Sequence, residues 1–165
     1  MVNNEIKKLP KSILFVCLGN ICRSAAADGV FPKFATRYLP NSPIKIDSAG
    51  TYGGHAGDKA DVRMRNSAKK RGYDLTSISR KVTSDDFYNF DIIFAMDDSN
   101  YDDLCHIAPE KELEAKIFKF ADFITRYDID HVPDPYYQGV DGFEYVLDIL
   151  EDGCKNICLT LQNLK

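Results

Sequence analysis

The sequence predicts an α/β fold, a single domain in which a central four-stranded parallel sheet lies between two helical layers in the three-layer α/β/α, Rossmann-like arrangement. Three observations carry this expectation. Short apolar runs of strand type recur at 12–16, 44–47, 91–96 and 115–120. The stretches between them are long enough for helices. The last stretch repeats its apolar residues at the helical period, with Phe143, Val146, Leu147, Leu150, Cys154, Ile157, Cys158 and Leu161 on one side. Strands that alternate with helices pair in parallel and are covered on both faces.

A chain of 165 residues suffices for one substantial core without metal or disulfide staples. Residues 1–10 precede the first strand and are the segment expected to be flexible. The run at 12–16 reads Ser-Ile-Leu-Phe-Val, a strand-type sequence. Helices are expected at 23–38, where Ala25, Ala26 and Ala27 give a good start, at 58–71, closed by Gly72, at 99–107, ahead of Pro109, and at 141–164. Open parallel sheets bind ligands beyond the carboxyl ends of their strands, so chemistry is expected in residues 17–24, 48–57, 96–100 and 120–138.

The formal net charge of −4 argues against a nucleic-acid partner, which requires many clustered Lys and Arg to displace counterions. Any anion must therefore be met locally. The apolar run at 13–18 is too short to span a membrane and lacks a small-residue cleavage site, so a cytoplasmic protein is expected. Five cysteines are an odd number, which suits a reducing compartment better than a disulfide framework. Cys154 and Cys158 read as buried small hydrophobes of the last helix. His55, His106 and His131 are scattered, and neither a metal nor another cofactor is expected. A monomer or weak dimer is expected.

The first strand runs straight into Cys17-Leu18-Gly19-Asn20-Ile21-Cys22-Arg23-Ser24, and a helix follows at once. Strand, tight loop and helix together form an anion site, because the loop amides and the unpaired N–H groups of the helix converge on one tetrahedral oxyanion. Leu18, Gly19, Asn20, Ile21, Cys22 and Ser24 are the expected phosphate-binding positions. Gly19 permits close backbone approach, and Asn20 tolerates the left-handed region. The same field favours a thiolate at Cys17, at the head of the loop, and so makes it a nucleophile. Arg23 supplies a planar fork for two phosphate oxygens. Ser24 is placed to donate to the sulfur and ease its departure.

Cleavage of a phosphate ester by a thiolate needs an acid for the departing oxygen. In His131-Val132-Pro133-Asp134-Pro135-Tyr136-Tyr137, two prolines stiffen the backbone around Asp134, and the tyrosines offer flat walls to an aromatic substrate. Read by itself, Asp-Pro is common turn chemistry. Joined to the cysteine loop, Asp134 is the expected general acid and, in a second half-reaction, the base that activates water.

The string Val16-Cys17-Leu18-Gly19-Asn20-Ile21-Cys22-Arg23-Ser24 near the N-terminus resembles the cysteine-x5-arginine-serine signature of protein tyrosine phosphatases, and of their low-molecular-weight branch in particular. Asp134-Pro135-Tyr136-Tyr137 is similar to the family's general-acid segment, and Phe90 to Asn100 to its third strand. Asp47-Ser48-Ala49-Gly50-Thr51 resembles a segment whose serine buttresses the loop asparagine, which implies Ser48 supporting Asn20. The resemblance implies hydrolysis of phosphotyrosine and small aryl phosphates through a phosphocysteine, with tyrosine-phosphorylated proteins or peptides as partners and inorganic phosphate and oxyanion analogues as ligands. Many relatives carry an aromatic cleft wall where Gly54 stands here, and Tyr52 is the expected substitute beside Tyr136 and Tyr137. A histidine of some relatives is absent near Ser77. Cys22 reads either as a loop-packing residue or as a disulfide partner that shelters Cys17. An arsenate reductase of the same fold would need further cysteines at the end of the third strand, where Ala95-Met96-Asp97 stands instead. A nucleotide switch would need a Gly-x4-Gly-Lys-Ser/Thr loop, which is missing.

Overall fold

The computed structural model describes residues 5–164. Four strands, β1 (Ser12–Cys17), β2 (Lys45–Gly50), β3 (Ile92–Ala95) and β4 (Ile117–Lys119), form one sheet in the order β2-β1-β3-β4. Every pairing is parallel. The helices are α1 (Arg23–Tyr38), α2 (Val62–Lys70), α3 (Asp86–Asn89), α4 (Asp98–Ile107) and α5 (Val140–Gln162). The predicted α/β class is thus the observed one.

β1 lies inside the sheet and is buried along its whole length. Its side chains alternate between two apolar layers, as the two-residue period of a strand demands. Ile13, Phe15 and Cys17 face the larger layer with α1 and α5, while Leu14 and Val16 face the smaller one with Phe87 and Leu104. In the larger layer Phe15 stacks on Phe94 with ring centroids 5.6 Å apart. The register sets Cys17 opposite Gly50 and Val16 opposite Ala95, so the ends of β1, β2 and β3 open at one edge.

The expected and observed element bounds agree for α1 and differ elsewhere for local reasons. The helix expected at 58–71 begins only at Val62, because the backbone of residues 58–61 is committed elsewhere. Asp58 O accepts from Ser79 N, Lys59 bridges to Ile78, and Asp61 N donates to Ile21 O. Asp61 is the true cap, its carboxylate accepting Arg63 N. Gly72, past the end of α2, adopts φ +86°. α4 starts one residue early because Asp97 accepts Asn100 N. β4 is shorter than the run at 115–120, and 3-10 turns at Lys111–Lys116 and Phe120–Phe123 flank it. α5 spans Val140–Gln162 instead of 141–164. α3 went unseen because four residues carry no period. Of the lead-in expected to be flexible, Ile6 and Pro10 are buried, Ile6 in the larger layer, and residues 1–4 lie outside the described residues. Among the described residues no helix is long and apolar enough to cross a membrane.

Gly153 sits in the middle of α5, where glycine costs about 1 kcal/mol relative to alanine. Its missing side chain is what lets the helix seat on the core. A Cβ there would fall 2.3 Å from the buried Phe120 ring. We expect Gly153→Ala to lower stability by about 1–3 kcal/mol despite its better helix propensity, seen as a lower urea midpoint with unchanged slope.

Candidate active site

Beyond Cys17 the chain turns tightly and enters α1 at Arg23. Asn20 is the one non-glycine residue with positive φ among those described, at +56°. Its side chain pins that conformation, donating from Nδ2 to Ser24 Oγ at 2.8 Å and accepting Arg80 N at Oδ1 at 3.1 Å. The loop's carbonyls are bound from outside. Cys17 O accepts Thr51 N at 3.0 Å, Leu18 O accepts Tyr52 N at 2.9 Å, and Ile21 O accepts Asp61 N at 2.8 Å. Gly19 O accepts the Ser79 hydroxyl at 2.9 Å. A trans peptide points its N–H opposite its C=O, so carbonyls drawn outward turn the following amides of Leu18, Gly19, Asn20 and Cys22 toward the hollow. Gly50 permits the approach from β2, since a Cβ there would lie 2.6 Å from Leu18 O.

Cys17 Sγ is buried, 3.0 Å from Ser24 Oγ and 3.5 Å from Ser24 N. Because Asn20 donates to the Ser24 oxygen, the serine proton is left for the sulfur or, at 3.4 Å, for Ala49 O. Arg23 is only 3% exposed. Its Nη1 donates to Asp97 Oδ2 at 2.7 Å and to Val132 O at 3.2 Å, and its Nη2 lies 3.7 Å from Asp134 Oδ2. Burial works against its charge, but Cys17, Asp97 and Asp134 together hold the guanidinium above its ordinary range. Arg23 Nε is buried with no partner in the protein, a donor left for a ligand. Cys22 differs from Cys17 in surroundings. Burial pushes its thiol well up, with Asp61, Cys17 and Asp134 adding to the effect.

Asp134 is half exposed on the loop before α5, and its Oδ1 accepts Tyr136 N at 3.1 Å. Val132 N donates to Met96 O and anchors this loop to the end of β3. Cys17, Leu18, Gly19, Ile21, Cys22, Arg23, Tyr52, Asp134, Tyr136 and Tyr137 line one cleft of about 260 Å³, while Asn20 and Ser24 are buried behind the loop. The Tyr52 ring folds over Gly54, where a Cβ would fall 2.2 Å from it. The glycine in place of an aromatic thus seats the tyrosine that lines the cleft.

Ser48 is a correction. It does not reach Asn20; its hydroxyl donates to Asp28 Oδ2 at 2.9 Å and its N–H to Asp47 Oδ1. The support expected from it comes from Arg80 and Ser79, which follow the site of the missing histidine. Arg80 N holds Asn20 while its guanidinium is gripped by Asp47 and Asp86. His55, read as scattered, lines the cleft with its Cδ2 3.0 Å from where a Gly19 Cβ would stand. Asp97, which caps α4 and pairs with Arg23, was also missed. The acidic residue ending the β3 motif was its only sequence signal. Among the described residues no group of three or more His, Cys, Asp or Glu is placed to hold a metal ion.

Fold and site together define an α/β protein whose tight, inward-facing amide loop joins the end of β1 to the start of α1, with a cysteine at its head and an arginine at its close. The family model for low molecular weight phosphotyrosine protein phosphatases matches residues 12–165. A crystal structure of a protein tyrosine phosphatase from Entamoeba histolytica superposes with a TM-score of 0.88 at 51% identity, covering 92% of this chain and 97% of that one. YfkJ from Bacillus subtilis gives a TM-score of 0.84 at 35% identity, covering 93% and 96%. The low molecular weight phosphotyrosine protein phosphatase of Gallus gallus is 40% identical over 149 residues, 88% of this chain and 92% of its own. The chain belongs to the low molecular weight phosphotyrosine protein phosphatase family.

Burial pushes Asp28 up to about 6 from its ordinary 3.8, with the Ser48 hydroxyl opposing and Asp47 adding. The folded state therefore holds this proton more tightly than the unfolded one. The stability that goes with it is full below about pH 4 and is lost as pH rises through about 6. Asp28→Asn keeps an acceptor for Ser48 and cannot ionise. We expect its unfolding free energy, from urea titration, to equal the parent's near pH 4 and to exceed it above pH 6, by roughly 2–3 kcal/mol.

Proposed function

We propose that this chain hydrolyses phosphotyrosine in proteins or peptides, and small aryl phosphates, through a covalent phosphocysteine at Cys17. The observation that carries the reading is that Cys17, the buried Arg23 and Asp134 line one cleft, with Arg23 Nε unpartnered. Phosphate sits in the amide nest with two oxygens on the Arg23 fork. Cys17 sulfur attacks phosphorus; the S–P bond forms as the P–O bond to the phenol breaks, and Asp134 gives its proton to the departing oxygen. Water then attacks phosphorus and yields its proton to the Asp134 carboxylate. The S–P bond breaks, inorganic phosphate leaves, and the Ser24 hydroxyl steadies the negative sulfur.

Tyr52 and Tyr136 form flat walls suited to a phenyl ring, and the exposed Tyr137 stands at the rim, ring centroids 4.9 Å from Tyr136. Inorganic phosphate and other oxyanions are competitive ligands of the same nest. Free thiols throughout the described residues suit a reducing compartment, and we place the enzyme in the cytoplasm.

p-Nitrophenyl phosphate hydrolysis tests the mechanism. Turnover is expected to persist in chelator, to vanish in Cys17→Ser, and to fall about 100-fold or more in Asp134→Ala. Chelator-sensitive turnover would sink the thiol mechanism, and an undiminished Asp134→Ala would remove the acid assignment.

Cys22 lines the same cleft and is the candidate resolving thiol. Peroxide would convert Cys17 to its sulfenic acid, and Cys22 sulfur would displace water to form the disulfide. The raised Cys22 thiol makes this step slow at neutral pH. Recovery with dithiothreitol after peroxide treatment is expected in the parent and not in Cys22→Ser.

A further inference from the structure

The loop that carries Asp134 is tied to the phosphate loop through one arginine at the rim of the cleft. Arg63 is the second residue of α2, and its N–H donates to the capping Asp61 carboxylate at 2.8 Å. The same carboxylate takes Nε at 3.0 Å and Nη2 at 2.8 Å, so the guanidinium is folded back onto its own helix cap. Held there, it lies 4.8 Å from the ring centroid of Phe143 and 5.3 Å from that of Tyr136. Phe143 is fully buried in the first turn of α5 and gives a fixed support. Tyr136 is the other contact, and its N–H donates to Asp134 Oδ1. At the far end Asp61 N donates to Ile21 O in the phosphate loop. A continuous path therefore runs from Ile21 through Asp61, Arg63 and Tyr136 to the Asp134 carboxylate.

We propose that Arg63 is a positioning residue for the general acid, setting Tyr136 against Phe143 so that the Asp134 carboxyl meets the departing oxygen of a substrate seated in the phosphate loop. The inference rests on the reading of Asp134 as that acid. A guanidinium acting only through its charge would strengthen phosphate binding alike for every ester. Pairing with Asp61 on two of its nitrogens offsets that charge, whereas the two ring contacts act on geometry. Misplacing a proton donor matters in proportion to how badly the leaving group needs a proton.

The test compares kcat/KM over a series of aryl phosphates, from 2,4-dinitrophenyl phosphate, whose leaving group needs no acid, to phenyl phosphate, whose leaving group does. Parent, Arg63→Ala, Arg63→Lys and Asp134→Asn are measured together, with inhibition by inorganic phosphate. Asp134→Asn is expected to lose most on phenyl phosphate. Arg63→Ala should follow the same pattern on a smaller scale, with about a tenfold loss on phenyl phosphate, less than about twofold on the dinitrophenyl ester, and phosphate inhibition within about twofold of the parent. Arg63→Lys keeps the charge but not the planar face and should fall between the two, and it carries the test alone if the alanine variant does not fold. A loss equal across the series, no loss, or complete rescue by lysine overturns the positioning role. If Asp134→Asn itself shows no dependence on leaving group, the acid assignment fails instead, and the two failures are thereby distinguished.

Discussion

Four carbonyl oxygens drawn outward turn the amides of the loop between β1 and α1 inward. Those of Cys17, Leu18, Gly19 and Ile21 are each satisfied by a donor outside the loop, from the Thr51 and Tyr52 amides, the Ser79 hydroxyl and the Asp61 amide. No residue inside the loop could impose this, because short loops seldom satisfy their own polar groups. The donors belong to three segments distant in sequence, the end of β2, the strap around Ser79 and the approach to α2. The loop is therefore held in shape only when the sheet edge is complete, and Gly50, beside which a side chain would collide with Leu18 O, is a point of tight closure.

The electrostatics of the cleft follow from the same closure. Arg23 is almost wholly out of water, and an unpaired charge at that depth would be strongly destabilising. Asp97 meets one side of the guanidinium and caps α4 with its other oxygen, so a single carboxylate fixes a helix start and a fork direction. Asp134 approaches more loosely from a loop, 3.7 Å from the other side of the fork. Cys17 and Cys22, five positions apart and both buried, have different neighbours. The first meets hydrogen-bond donors, and the second meets burial and carboxylates.

Much of this could be read from the chain before its fold was known. Cys17, Arg23 and Asp134 announce themselves because their chemistry is carried by residue type within short, unusual strings. β1, α1 and α5 announce themselves because burial imposes a period on them. The supports of the loop were less legible. Ser48 was expected to hold Asn20, whereas Arg80 does so through a backbone amide that any residue could supply, and Ser79 holds the neighbouring Gly19 carbonyl through a lone hydroxyl about sixty residues away. Helix α2 began later than its composition suggested because hydrogen bonding to residues 78–79 and to Ile21 took precedence over helix propensity at residues 58–61. Interactions whose partners lie far apart in the chain leave no local periodicity and no local motif.

The Tyr52 ring, which lines one side of the cleft, rests against the bare backbone of Gly54. A side chain at position 54 would have to displace that ring, because its Cβ alone would stand 2.2 Å away. A ligand that stacks on this wall meets a ring seated lower than a side chain at position 54 would allow. That shallow step, formed by the absence of a single side chain, is a handle for chemical selectivity between this phosphatase and its relatives.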